Sequence, residues 1–424
     1  MKIFGDDGFR DVYGKGLLGK KFLINFFESL NYVIYKKTTK EVVVGYDTRS
    51  TCKKILEIIK KKIISTKFLN IISNPISTPG LQFISKQRKA FGIMITASHF
   101  PKNYNGFKFF YNGIKISKKY ELQIQNNINK KNNLKKFVDR KITYSNLNNY
   151  INFINKNLKF NQKYQILFDC SNGSIGSFYK KIKFLKNSKV INFKIRGNRI
   201  NENCGTNFLY KNKNIYPYKK YDYCVAFDGD ADRVLISKKN YGIIEIEKLS
   251  LIFAIYFKKR QSFSSIVATE IVNPWLKTEL KKIKKKIFIS KVGDRNVIYK
   301  KIKKKSLFGF ETSGHFSFLD FMDGLYTAGL FLKILNTNPK IIDEVLKKNI
   351  SFKKEVFSFD KKYLNKIKNL IKKNKYNSLK FIIRKSIWSK YYKIYFFYKQ
   401  NSINALFNIK KILKNKIIKI KLKN

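Results

Sequence analysis

Apolar positions along this chain follow two rhythms. Between Lys20 and Lys36, residues Phe22, Leu23, Phe26, Phe27, Leu30 and Val33 recur at spacings of three and four, which predicts an amphipathic helix. Short unbroken apolar runs instead predict buried strands, at Glu41 to Asp47 and at Phe91 to Ile95. The second run passes directly into Thr96-Ala97-Ser98-His99 before Pro101 forbids regular structure. A serine is therefore left at the end of a strand, and in open α/β sheets the crevice lies beyond the carboxyl ends of the strands.

The same reading continues downstream. Phe107 to Tyr111, the turn Asn112-Gly113 and Ile114 to Ser117 predict a hairpin. Residues 118–163 are rich in Lys and Asn but periodically apolar, so helices and a domain junction are expected there. A second α/β unit is expected to open with the strand Tyr164 to Asp169 and the turn Cys170-Ser171-Asn172-Gly173. Two further strands, Tyr223 to Phe227 and Val234 to Ile236, bracket a tight acidic turn.

Composition adjusts this picture in three ways. At 424 residues, 44% of them hydrophobic, the chain is too long for one core and implies two to four domains. Its 90 Lys and Arg against 27 Asp and Glu give a formal net charge of +63, which would ordinarily suggest a nucleic-acid partner. The excess is mostly Lys spread over the whole chain with abundant Asn, Ile, Phe and Tyr, a compositional drift without any zinc-knuckle spacing or stacking motif. No dedicated nucleic-acid partner is expected. Cys52, Cys170, Cys204 and Cys224 form no C-x-x-C pair, so neither a zinc site nor a disulfide scaffold is indicated, and a reducing cytoplasm fits. Asp6 and Asp7 interrupt the opening before a signal peptide could form, and the longest apolar run, Leu249 to Phe257, is too short to span a bilayer. A soluble cytoplasmic protein with no membrane partner is expected.

The densest chemistry is Asp228-Gly229-Asp230-Ala231-Asp232-Arg233. Three carboxylates at alternate positions in a tight turn repel one another unless a hard cation neutralises them. An EF-hand is excluded, because Arg233 stands where its loop needs Gly and Lys239 where it needs Glu. The chain's two histidines, His99 and His315, both lie in candidate motifs. Glu311, Ser313 and His315 stand at alternate positions, which in an extended segment would present an acceptor, a hydroxyl and a titratable group on one side, suited to sugar hydroxyls.

Together these segments resemble the α-D-phosphohexomutases, and among them the bacterial phosphoglucosamine mutases. Thr96-Ala97-Ser98-His99-Phe100-Pro101 resembles the phosphoserine loop T-A-S-H-N-P, with Phe100 in place of Asn, and Asn105-Gly106-Phe107-Lys108 resembles the N-G-x-K that follows it. Phe4-Gly5-Asp6-Asp7-Gly8-Phe9-Arg10 is similar to F-G-T-D-G-I-R, Gly45 to Ser50 to G-x-D-T-R-x-S, and Ile200 to Gly205 to I-N-x-x-C-G. The acidic turn resembles D-G-D-G-D-R, Ser290 to Arg295 resembles T-x-V-G-D-R, and Gly309 to His315 resembles G-G-E-x-S-G-H. Near the end, Arg384-Lys385-Ser386 begins like R-K-S-G-T-E-P, but Ile387-Trp388-Ser389-Lys390 replaces G-T-E-P.

The resemblance implies three related α/β domains with mixed sheets (1–145, 146–238, 239–345) and a smaller C-terminal α+β domain (346–424) around a central cleft. It implies a phosphorylated Ser98, with Arg10, Lys108 and His315 as catalytic groups. Mg²⁺ would be held by Ser98, Asp228, Asp230 and Asp232. Substrate would meet Glu311, Ser313, Arg233 and Arg295, and phosphate would meet His99, Arg384, Lys385 and Ser386. The implied activity interconverts glucosamine 6-phosphate and glucosamine 1-phosphate through a bisphosphorylated sugar, with a hexose 1,6-bisphosphate as activator and a monomer or homodimer as the working form. A phosphomannomutase or phosphoglucomutase, or a decayed sugar-phosphate-binding relative, are the alternatives.

Overall fold

The computed structural model describes residues 3–5, 7–36, 40–128, 130, 140–186, 188–195, 197–212, 220–373, 379–385, 391–399 and 417–418. The chain divides into two units, residues 1–244 with 313–339, and residues 245–312 with 340–424.

The first unit contains two mixed sheets. In the larger one the strands run in the order Phe9–Val12, Tyr104–Tyr111, Phe91–Ile95, Glu41–Tyr46, Phe68–Ile72 and Lys141–Ser145, and Ile114–Lys115 pairs back onto Tyr104–Tyr111 as the Asn-Gly turn requires. Glu41–Tyr46 lies parallel to both its neighbours, so the carboxyl ends of Glu41–Tyr46 and Phe91–Ile95 emerge side by side with Tyr46 opposite Ile95. Tyr104–Tyr111 runs antiparallel beside Phe91–Ile95 and puts Lys108 opposite Met94. The helix Lys20–Lys36 buries Leu23, Phe26, Phe27, Leu30 and Val33 as its periodicity requires. Its Phe26 ring lies 4.8 Å from Phe9 and 5.6 Å from Phe109. At ~25 cal/mol per Å² of apolar surface, that aromatic layer anchors the edge strand carrying Arg10.

Residues 118–163 are only partly helical. Helices Lys118–Asn127 and Asn148–Asn157 are present, but Lys141–Ser145 between them is a strand parallel to Phe68–Ile72. Its side chains are exposed or half-buried, so it lacks the apolar face that would mark a strand in the sequence.

The second sheet has the order Gly242–Ile243, Val234–Lys238, Tyr223–Phe227, Ile166–Asp169, Lys189–Ile191. Tyr223–Phe227 is parallel to Ile166–Asp169 and antiparallel to Val234–Lys238, and the acidic turn joins the two antiparallel strands. The helix Gly324–Thr337 is capped by Asp323, whose side chain accepts from the Tyr326 N–H, and Phe331 packs edge-on against Tyr223 with centroids 5.6 Å apart.

In the second unit, Ser265–Thr269 lies between the parallel strands Lys286–Ser290 and Gly309–Phe310, with helices Ile246–Lys258, Trp275–Lys282 and Asp294–Lys303. A separate antiparallel sheet, ordered Leu379–Lys385, Tyr391–Tyr398, Lys353–Asp360, Ile417–Ile418, has its own small core of Phe357, Phe359, Ile367, Ile394, Phe396 and Tyr398. The α/β character and the smaller α+β C-terminal region are as expected. Among the described residues no helix is long and apolar enough to cross a membrane.

Candidate active site

Ser98 follows the buried strand Phe91–Ile95 by three residues and is itself fully buried, with φ +51°. A left-handed conformation costs a residue with a Cβ of order 1–3 kcal/mol unless the surroundings impose it. Here they do. The Ser98 N–H donates to Thr96 Oγ1 at 2.8 Å, and that hydroxyl donates to Asp47 Oδ2 at 2.7 Å. Arg49, paired with Asp47 at 3.1 Å, donates to the carbonyls of Ser98 (3.0 Å), Phe100 (2.8 Å) and Tyr104 (2.9 Å). The Asn201 side chain adds a 2.8 Å bond to the Ser98 carbonyl. A guanidinium with its donors in a rigid fork suits this task better than an ammonium.

The Ser98 hydroxyl faces the acidic turn and donates to Asp228 Oδ2 at 2.6 Å. Gly229 permits this approach, because a Cβ there would lie 2.7 Å from the Ser98 carbonyl oxygen. Ala231 turns the chain with φ +56°, the backbone demand that explains Gly at the equivalent position of the motif it resembles. Asp228, Asp230 and Asp232 are all buried, and one oxygen from each lies within 4.8 Å of the others. Burial, reinforced by Asp232 and Asp230, pushes the Asp228 carboxyl up to about 7 against the pull of Arg233 and Ser98.

Cations surround the triad. Lys108 Nζ lies 2.8 Å from Asp230 Oδ2, 2.5 Å from Asp232 Oδ2 and 3.1 Å from Asp7 Oδ2. Burial alone would discharge this lysine, but Asp230, Asp232 and Asp7 raise its pKa well above the ordinary lysine value. Asp7 also pairs with Lys115, and with Arg10 at 2.5 Å. Although burial opposes it, Lys108, Lys115 and Arg10 hold the Asp7 carboxyl well below the usual carboxylate range.

His315 is brought to the same turn by pairing with Arg233. Its Nε2 stands 3.1 Å from Arg233 Nε and 3.2 Å from Asp232 Oδ1, and its Nδ1 lies 2.9 Å from Ser313 Oγ. With a donor and an acceptor both at Nε2, each protonation state of the imidazole has a partner. His99 Nδ1 lies 3.3 Å from Ser98 Oγ, and burial followed by Arg233 and Arg10 keeps its ring neutral by lowering its pKa well below the usual value.

The first unit thus brings together Arg10, Ser98, His99, Lys108, Asp228, Asp230, Asp232, Arg233, Ser313 and His315. Glu311, Arg295, Arg384 and Lys385 belong to the second unit. There Glu311 accepts from the Gly293 N–H at 2.8 Å, Arg295 is buried in the first turn of Asp294–Lys303, and Arg384 approaches Glu270 at 3.9 Å. Ser386 and the altered residues Ile387 to Lys390 lie outside the described residues. The expectation that Glu311, Ser313 and His315 share an extended segment is corrected. Residues 312–313 form a turn and Gly314 has φ +95°, so Ser313 and His315 pair with each other while Glu311 bonds elsewhere.

Thr78, Asp7, Lys115, Asn201, Asp47 and Arg49 also build the site, although none was a candidate. Asp47 and Arg49, Asp7, and Asn201 stand in three of the motifs above, but the contacts that bring them to the site, to Thr96, Ser98 and Lys108, reach across 49 residues or more, and no local spacing reveals them.

The donor set suits a hard divalent cation. Asp230 Oδ1 is buried with no hydrogen-bond partner, an arrangement costing several kcal/mol unless a charge meets it, and every candidate ligand is oxygen. The triad can therefore hold a metal ion.

Comparison with known proteins agrees with this geometry. Residues 1–135 match phosphoglucomutase/phosphomannomutase α/β/α domain I, and residues 246–351 match domain III. A phosphoglucosamine mutase of Buchnera aphidicola subsp. Baizongia pistaciae is 31% identical over 350 residues, 79% of this chain and 77% of the relative. The chain belongs to the phosphohexomutase family. A second phosphoglucosamine mutase, from Ruminiclostridium cellulolyticum, is 32% identical over 81% of this chain and 80% of its own length. Among solved structures, a phosphoglucomutase/phosphomannomutase family protein of Burkholderia thailandensis superposes with TM-score 0.79 at 18% identity, covering 97% of both chains. The Aspergillus fumigatus N-acetylphosphoglucosamine mutase, solved with GlcNAc-6P and magnesium, superposes at TM-score 0.61 and 13% identity over 98% of this chain and 96% of its own. This phosphohexomutase is accordingly an isomerase that moves phosphate within a sugar.

Proposed function

We propose that this phosphohexomutase is a phosphoglucosamine mutase, interconverting glucosamine 6-phosphate and glucosamine 1-phosphate in the cytoplasm, where its four buried free cysteines stay reduced. The observation that carries the reading is Ser98 Oγ, held in a strained loop 2.6 Å from Asp228 at the rim of a buried triad. The about 30% identity to phosphoglucosamine mutases over most of the chain selects the sugar.

In the proposed cycle Ser98 carries the phosphoryl group. The Ser98 Oγ–P bond breaks as a hydroxyl oxygen of the sugar monophosphate bonds to phosphorus. The hydroxyl proton passes to a base, a role we assign to His315 Nε2, and the product is the bisphosphate. After the sugar turns over, its other phosphoryl group returns to Ser98 Oγ and the departing sugar oxygen regains a proton. Mg²⁺ held by Asp228, Asp230, Asp232 and an oxygen of the phosphorylated Ser98 would supply neutralising charge to the phosphoryl oxygens. Lys108, kept as an ammonium, and Arg10 and Arg233 add donors at the same group, so Lys108 serves as a charge stabiliser and His315 as the acid and base.

Turnover of the bisphosphate needs a second phosphate site, which we assign to Arg384, Lys385 and Ser386, with Glu311, Ser313 and Arg295 recognising the sugar. Four domains at the boundaries given by the sequence fit this division of labour, in a monomer or homodimer. Hexose 1,6-bisphosphate would prime Ser98.

The test is peptide mass spectrometry after incubation with glucose 1,6-bisphosphate and Mg²⁺, followed by challenge with glucosamine 6-phosphate. One phosphate on the Ser98 peptide that leaves to this sugar supports the proposal. Transfer to mannose or glucose phosphates alone would reassign the substrate, and a folded protein that takes up no phosphate would be a non-catalytic relative.

A further inference from the structure

The metal loop is fastened to the larger sheet's helices at Thr78, the first residue of Thr78–Gln87. The Thr78 N–H donates to the Asp230 carbonyl at 2.9 Å, and Thr78 Oγ1 donates to Asp230 Oδ2 at 2.5 Å. Both residues are fully or almost fully buried, at 2% and 0% exposure. Lys108 Nζ also meets Oδ2, at 2.8 Å, while Oδ1 of the same carboxylate has no hydrogen-bond partner.

We infer that Thr78 is a positioning residue for the metal: it turns the Asp230 carboxylate so that Oδ2 faces the protein and Oδ1 faces the ion. An aspartate carboxylate has one broad terminal torsion, so a single donor on Oδ2 leaves its plane free to swing. Two donors from different directions, a hydroxyl and an ammonium, define that plane. The backbone bond from Thr78 adds register, fixing the turn against the helix while the side-chain bond sets the oxygen. Pro79 at the start of the helix and the Ser77 cap, which accepts from the Gly80 N–H, hold Thr78 rigidly in turn. Valine at this position would keep the shape and lose only the donor. This inference rests on the proposal that the triad holds a divalent cation.

Mn²⁺ is a suitable probe, because its electron paramagnetic resonance signal reports free ion without any turnover. Wild type, Thr78→Ser and Thr78→Val would be titrated with Mn²⁺, with circular dichroism in EDTA to record the fold. Partners of metal ligands typically contribute 10–100-fold to affinity. Thr78→Val is expected to bind about 10–100-fold more weakly and Thr78→Ser within about 2-fold of wild type, with kcat at saturating Mg²⁺ falling less than the affinity. A folded Thr78→Val with wild-type Mn²⁺ affinity would overturn the inference and leave the metal site standing. If Thr78→Val does not fold, Thr78→Ala replaces it, and failure of both to fold in EDTA would also overturn the inference, since the hydroxyl then serves the fold. A wild type that binds no Mn²⁺ would instead defeat the metal reading itself.

Discussion

The guanidinium of Arg10 lies 5.3 Å from the centroid of the Phe100 ring, and that ring is braced by His99 at 5.1 Å and Tyr104 at 5.2 Å. Phe100 replaces the Asn of the motif this loop resembles, so the departure puts an aromatic face under the arginine that Asp7 holds from the other side. A half-buried cation–π contact contributes about 1 kcal/mol, close to fivefold in a rate constant. Phe100→Leu is expected to lower kcat/KM about 3- to 5-fold, and Phe100→Tyr to retain wild-type values. Equal losses in both variants would show that the ring only fills space.

Arg49 makes the second prediction. Its removal leaves the buried Asp47 carboxylate without its counter-charge and takes a donor from the carbonyls of Ser98, Phe100 and Tyr104. Breaking a buried pair by deleting one partner costs about 3–5 kcal/mol. Arg49→Ala should therefore lower the thermal midpoint by on the order of 10 °C and abolish phosphorylation of Ser98. Arg49→Lys should recover part of the midpoint but little of the phosphorylation, because an ammonium cannot span the carbonyls. A variant with wild-type phosphorylation would remove Arg49 from the account of the loop.

How much of this was legible in the sequence depends on range. Strands whose side chains are buried on both faces, such as Phe91–Ile95, announced themselves as apolar runs, and the Asn112-Gly113 hairpin followed from turn chemistry. Ser98 and the triad were legible because their residue types are concentrated locally. The left-handed φ of Ser98 and Ala231 was not, since neither is a residue that prefers it. Asp7, Arg49 and Thr78 reach partners 49 to 152 residues away from ordinary-looking segments, so only the pairing of strands and helices reveals them. Lys141–Ser145 was missed because an exposed edge strand in a Lys- and Asn-rich stretch has no apolar face to read.

Asp323 predicts a pH dependence. Burial raises its carboxyl to about 7, against the pull of the Tyr326 N–H it accepts as helix cap and of the Tyr150 hydroxyl 2.9 Å away. Between the unfolded value near 3.8 and about 7 the folded chain holds a proton that the unfolded chain has lost, so stability falls as pH rises across that window. Asp323→Asn keeps an oxygen for both donors and removes the titration. The difference in unfolding free energy between wild type and this variant should shift against wild type by on the order of 1 kcal/mol per pH unit from pH 4 to 7 and then level off. Denaturant titrations at four pH values check this, and parallel profiles would exclude Asp323 as the source.

Lys108 separates charge stabilisation from stability. It is the shared partner of Asp230, Asp232 and Asp7, which are otherwise like charges packed within a few ångströms. Lys108→Met keeps the buried stem and deletes the ammonium, leaving repulsion that an added divalent cation can partly relieve. In EDTA the variant should be less stable than wild type by about 3–5 kcal/mol, the cost of breaking a buried ion pair. Saturating Mg²⁺ should raise its melting temperature more than it raises that of wild type, because the ion would then supply the charge the lysine no longer does. Phosphoryl transfer should nevertheless stay slow, about 10²- to 10³-fold below wild type, since a preorganised donor to the phosphoryl oxygens is missing. If Mg²⁺ restored both stability and rate, Lys108 would be a counter-charge to the triad alone, and the reaction would have to find its cationic donors in Arg10 and Arg233.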